Sequence, residues 1–160
     1  MGRVLATIEL PVMTSEVEQL WYDLSRWPAF IDGFAHIEKQ SGDWPQAGAS
    51  LTWTSNPGGR GRVLEDVVRY EARVGQESLV EDERMRGTQR VGFRPGPEGV
   101  RVTLELEYTL KGERTFQALF DVFFVRRPMR ESVTRTLARF RREVLTDHEL
   151  AGRSQAGELT

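Results

Sequence analysis

The chain contains no cysteine. That absence removes a disulfide framework, a thiolate zinc site and a cysteine nucleophile together. Histidine is almost as scarce, with only His36 and His148. Without a His-x-x-x-His spacing, no transition-metal site and no cofactor are expected. Lysine occurs only at 39 and 111, so arginine carries nearly all the positive charge. No stretch approaches the ~18 uninterrupted apolar residues of a membrane span. The start, Met1-Gly2-Arg3-Val4-Leu5-Ala6, lacks the apolar core of a secretory signal. Cytoplasmic localisation is therefore the expectation. A net charge of −2 gives no global signature of nucleic-acid binding.

What is present is a change of hydrophobic period. Val4–Leu10 reads as a strand ended by Pro11. Ser15-x-x-Glu18 then reads as a capping box, and Val17, Leu20, Trp21 and Leu24 as one face of a helix. Pro28 interrupts it, and Trp27–Phe34 predicts a second, brief helical turn. From Ala35 the pattern becomes strands and turns: Ala35–Ser41, Ser50–Ser55, Arg62–Arg73, Glu77–Arg86, Thr88–Arg94 and Val100–Leu110. Alternation is clearest in the last, where Val100, Val102, Leu104, Leu106, Tyr108 and Leu110 share a face. Beyond Gly112, Phe116, Leu119, Phe120, Phe123 and Phe124 form a helical stripe. After a break at Pro128, so do Val133, Leu137, Phe140 and Val144. Residues 1–148 are thus expected to form one domain of α+β class. A curved antiparallel sheet of about seven strands wraps a long C-terminal helix, with two short helices after the first strand. Residues 149–160 read as a disordered tail.

This order, with Val17-x-x-Leu20-Trp21-x-x-Leu24-Ser25, Trp27-Pro28-x-Phe30, Gly99–Tyr108 and Thr136-Leu137-Ala138-Arg139-Phe140, resembles the START-like SRPBCC superfamily. Within it, the similarity is to the polyketide cyclase/dehydrase and lipid-transport family, over residues 3–147. The resemblance implies a helix-grip fold with a pocket between sheet and last helix. It also implies hydrophobic ligands such as lipids or polyketides, cyclisation or dehydration in some members, and no catalytic set shared across the family.

Candidate pocket residues follow from the inward faces. Trp27, Phe30 and Phe34 suit a mouth or lid, and equally a plain core. Trp53, Phe93, Tyr108, Phe120 and Phe124 point toward the lining. Tyr108 brings a phenol in need of a partner, which protein or water supplies as readily as a ligand. On the fourth strand Asp66 and Tyr70 share one face, and Glu65 and Arg69 the other, unless a bulge intervenes. An inward acid near Arg84 has general acid–base potential, whereas an outward one belongs to a cross-strand charge ladder. His36 is expected to face solvent beside an inward Ile37. The Asn56–Gly61 loop lacks the Gly-Lys-Ser/Thr ending of a phosphate cradle and reads as a hairpin turn.

Three functions remain in competition. The first is a non-catalytic carrier or sensor of a small hydrophobic molecule. The second is a cyclase or dehydratase using Tyr108 and an acid such as Asp66. The third is a protein-interaction module built on Arg126, Arg127, Arg130, Arg135, Arg139, Arg141 and Arg142, a face that is otherwise simply solvated or paired with acids nearby. Cavity volume separates them. A void below ~300 Å³ favours interaction, converging polar groups in a larger one an enzyme, and an apolar interior a carrier.

Overall fold

A computed structural model describes residues 1–112 and 121–159, with the backbone alone described at 121–123. Seven strands, β1 (Gly2–Leu10), β2 (Phe34–Ser41), β3 (Ser50–Ser55), β4 (Arg62–Glu71), β5 (Gly75–Glu81), β6 (Met85–Gly96) and β7 (Gly99–Leu110), form one sheet. Its order is β1-β7-β6-β5-β4-β3-β2, and every pairing is antiparallel. After β1 come α1 (Thr14–Tyr22), a 3-10 turn (Leu24–Arg26) and α2 (Trp27–Phe30). A π-helical segment, Asp121–Arg126, leads into α3 (Arg127–Glu158). Register shifts in β2, at Phe34/His36 and Ile37/Lys39, and in β4, at Val67/Arg69, bend those strands. The sheet thus curls around α3, and the expected helix-grip architecture is what the chain adopts.

Helix α3 buries Val133, Thr136, Leu137, Phe140 and Val144. Phe140 is the pivot. Its ring stands 5.2 Å from Trp21 of α1 and 5.1 Å from Phe30 of α2, edge-on to both. All three are buried, so one apolar stripe binds both short helices to the long one. Pro128 stands where the π-helical segment gives way to α3. The wider π-helical turns preceding it relieve the clash a proline makes with the carbonyl four residues back.

Several local expectations are corrected. The N-cap of α1 is Met13 rather than Ser15, and the Glu16 carboxylate accepts from the Met13 N–H at 2.8 Å. Glu18 instead reaches across to the β4–β5 turn, accepting from the Tyr70 hydroxyl at 3.2 Å and the Arg73 N–H at 2.9 Å. The β5–β6 turn lies before Met85, and Gly87, read as a break, sits inside β6. A Cβ at Gly87 would collide with the Glu107 carbonyl oxygen, so this glycine serves close strand approach rather than a turn. The tail expected to be disordered from residue 149 continues α3 through Glu158, with residues 148–159 all exposed. Phe116, Leu119 and Phe120 lie outside the described residues, as does the Phe123 side chain.

Truncation of the pivot tests this packing. Phe140→Ala is expected to lower unfolding free energy by about 3–5 kcal/mol. Urea denaturation of both proteins checks it, and a loss below about 1 kcal/mol would show that Phe140 does not seat the helix.

Candidate functional site

The fourth strand decides which acid enters the interior. Val63, Glu65 and Val67 are buried, while Leu64, Asp66 and Val68 are exposed. Asp66, expected in the pocket, therefore points outward and accepts from Ser50 Oγ at 2.5 Å. The bulge after Val67 reverses the alternation, so Tyr70 turns toward the side of Glu65. There it meets Tyr22, 5.4 Å away edge-on, and Glu18, and it borders neither cavity described below.

Glu65 is the buried carboxylate, 3% exposed. Trp53 Nε1–H donates to its Oε2 at 2.8 Å, and Gln89 Nε2–H to its Oε1 at 3.1 Å. Burial pushes its carboxyl above the usual glutamate range; the Trp53 hydrogen bond and the Arg60 charge oppose this without cancelling it. Arg60 comes from the glycine-rich β3–β4 loop, where Gly61 takes φ +77. Its Nε donates to Asp82 Oδ2 at 2.8 Å, and its guanidinium carbon lies 5.9 Å from the Trp53 ring centroid. Asp82 also caps the β5–β6 turn, accepting from the Arg84 and Met85 N–H groups at 2.8 and 3.0 Å. Arg60 Nη2 is buried without an acceptor.

Two spaces meet at this cluster. The inner one, about 50 Å³, lies between Trp21, Trp27, Trp53, Glu65, Gln89, Leu104 and Leu106 on one side and Met129, Val133 and Thr136 of α3 on the other. The outer one, about 190 Å³, is a mouth between the β3–β4 loop, the β5–β6 turn and the start of α3. Phe124, Val125, Pro128 and Met129 give it an apolar wall, and Trp53, Arg60, Asp32 and Ser132 border both spaces. Neither reaches ~300 Å³, so among the described residues the expected roomy trough is largely filled.

Asp32 sits at the rim. It accepts from Arg135 at 3.1 and 3.0 Å and from Arg139 at 3.0 Å. Burial acts to raise its pKa, but hydrogen bonds from Arg135 and Ser132 and the charges of Arg135 and Arg139 outweigh it and hold it below the usual range.

The candidate residues therefore divide. Trp27, Trp53 and Phe124 border the two spaces, Phe124 being exposed at the mouth. Phe30 belongs to the aromatic pivot, and Phe34 packs behind the site against Trp27 and Trp53. Phe93 lies 6.1 Å from Tyr22, and the buried Tyr108 ring covers Gly2 of β1; neither borders either of the two spaces. The pairing of Tyr108 with Asp66 is thus corrected: one is sealed in the core and the other faces solvent. Arg60, Gln89, Met129 and Ser132 were missed. His36 faces solvent and meets Thr54 Oγ1 at 3.1 Å.

The raised carboxyl of Glu65 carries a consequence for stability. Its native-state contribution is complete below the ordinary glutamate value of 4.5 and is lost as pH rises through the folded value. Glu65→Gln cannot ionise, so the stability of the variant relative to the parent should improve steadily as pH rises above 4.5. At low pH the variant should be weaker by about 1 kcal/mol for one impaired hydrogen bond. Denaturation midpoints from pH 4 to 8 check this, and parallel curves would mean that Glu65 ionises freely.

A model of the polyketide cyclase / dehydrase and lipid transport family matches residues 1–145. No curated protein matches the sequence. Among solved structures, TTHA0849 from Thermus thermophilus aligns with TM-score 0.72 and 24% identity, over 91% of this chain and 99% of that one. Ara h 8.0201 aligns with TM-score 0.70 and 12% identity, covering 91% and 98%. Truncated norcoclaurine synthase from Thalictrum flavum gives 0.67 and 14%, covering 90% and 93%. At such identities the likeness is one of fold, and it is the same curved sheet gripping a terminal helix. The family match over nearly the whole length adds descent to shape: the chain belongs to the polyketide cyclase / dehydrase and lipid transport family, within the START-like helix-grip proteins.

Proposed function

We propose that the protein binds a small, predominantly apolar molecule in the mouth beside α3, as a carrier or sensor. The observation that carries this is the juxtaposition of an apolar wall, Phe124, Val125, Pro128 and Met129, with the polar floor of Arg60 and Trp53 in one space of about 190 Å³. Sites for small molecules combine largely apolar walls with a few placed polar groups. The volume equals about six waters, which favours a small guest over a bulky polycyclic one. Family membership supports a hydrophobic ligand without naming one.

The enzyme reading loses its specific support, and the interaction reading, which the small void favours, is weakened by pairing on the arginine face. An acid–base pair of Tyr108 and Asp66 does not converge. The arginine face of α3 is largely engaged: Arg127 pairs with Glu131, Arg135 and Arg139 with Asp32, and Arg141 reaches the Glu9 carbonyl. Such pairing leaves less free charge for a docking partner, despite the small void.

Ligand-observed NMR with methyl benzoate and 1-hexanol, alongside native mass spectrometry of protein from several expression hosts, tests the proposal. Binding of at least one probe or a co-purified species is expected. Met129→Trp, which fills the shared wall of both spaces, should weaken it at least tenfold. Binding that survives Met129→Trp unchanged would place the guest elsewhere, and no species or probe bound across hosts would remove the reading.

A further inference from the structure

We infer that the guest carries a carboxylate, received by Arg60 at the junction of the two spaces. This rests on the proposed binding role and deepens it by naming the head group. The mouth meets its hydrogen-bonding capacity unevenly. Its carboxylates are already engaged. Asp32 accepts from Arg135 and Arg139, and Asp82 from Arg60 Nε and two backbone N–H groups. The two oxygens of Glu65 take Trp53 and Gln89.

What is left over is donor capacity, and it sits on cations. Arg60 has a buried Nη2 with no acceptor, although its Nε is held by Asp82. The exposed Arg84 guanidinium, on the same mouth, makes no ion pair among the described residues. A buried donor left unmet is costly, and an incoming acceptor recovers that cost. A carboxylate is favoured over a neutral carbonyl because guanidinium binds carboxylate through charge-assisted, forked hydrogen bonds. The mouth also carries Arg60, Arg84 and Arg135 against Asp32 and Asp82, an excess of positive charge over which an anion is drawn inward.

Asp82 is then a positioning residue. By gripping Nε it fixes the guanidinium plane, with the buried Nη2 as the donor left unmet. The β5–β6 turn and the β3–β4 loop, distant in sequence, thus build one binding edge. The apolar wall from Phe124 to Met129 receives the body of the molecule.

The test compares benzoate with methyl benzoate, and hexanoate with 1-hexanol, by NMR titration at pH 7. The indole N–H of Trp53 serves as reporter, since it is bonded to Glu65 inside the cluster. Each carboxylate should bind at least tenfold tighter than its neutral counterpart and shift the Trp53 signal. Arg60→Gln should erase that preference, so that acid and neutral probes bind the variant within twofold of each other. Arg60→Lys, which keeps a cation opposite Asp82, should lose most of it through loss of the fork and covers the case in which the glutamine variant misfolds. Equal affinities for acid and neutral probe, or a preference that survives both variants, would overturn the carboxylate assignment. In that outcome a bound neutral probe leaves the binding role itself standing. Absence of binding by every probe would overturn the carboxylate assignment, and with no co-purified species either it would remove both.

Discussion

The edge-on contact of Phe140 with Trp21 and Phe30 fixes what the rest of the molecule can do. It draws α1 and α2 onto the long helix, and α3 onto the open side of the curved sheet. Because interiors pack to crystalline density, seating three large aromatic rings there fills most of the trough. Among the described residues, the two spaces left between sheet and helix lie along α3 from Pro128 to Thr136, on the N-terminal side of Phe140. The position of the mouth is thus a by-product of where the aromatic anchor lies. The helix is closed at its middle and open at its beginning.

At that open end the chain accepts a costly arrangement. A carboxylate buried as fully as Glu65 is tolerated because indole and amide donors meet both of its oxygens, and because its proton is held more tightly than in water. An isolated pair of Arg60 and Asp82 would cost more in desolvation than it returns. Here Asp82 is also the cap of a tight turn, so one side chain stabilises the backbone of one hairpin and the cation of another. On the outer face the same residue types do simpler work. Arg3, Glu105, Arg90, Glu77 and Arg69 alternate across β1, β7, β6, β5 and β4 as a ladder of pairs with signs alternating strand by strand.

Much of this was legible in the residues. The period-2 alternation of β7 and the α3 stripe of Val133, Leu137, Phe140 and Val144 fixed which faces meet, and the family resemblance supplied the grip topology. Strand parity on β4 was not legible, because Val63–Val68 offers apolar residues on both faces, and a single bulge puts Glu65 and Tyr70 on the same side. The loop arginine was equally hidden. Nothing in Asn56–Gly61 distinguishes a passive turn from one that carries a cation inward until Asp82 is brought opposite it. Gly87 misled for a related reason, since a glycine demanded by neighbouring backbone has the same letter as one demanded by a turn. Tyr108 followed its alternation inward correctly, yet inward there means against Gly2 rather than against a void.

The small size of the mouth bears on how such a site could discriminate between guests. Selectivity from volume alone is weak, because each methylene contributes only about 1–3 kcal/mol. A site of about 190 Å³ offers few methylenes to count. A fixed polar floor discriminates more steeply, since a guest that leaves a buried donor unmet forfeits the hydrogen bond and the desolvation already spent. Arg60 is held by Asp82, lies 5.9 Å from the Trp53 ring centroid, and neighbours Glu65, whose two oxygens already accept from Trp53 and Gln89. It therefore cannot swing away to find water without breaking that pairing. In the proposed site, rigidity of the polar floor, rather than the shape of the apolar wall, is then the feature on which the choice of guest would turn.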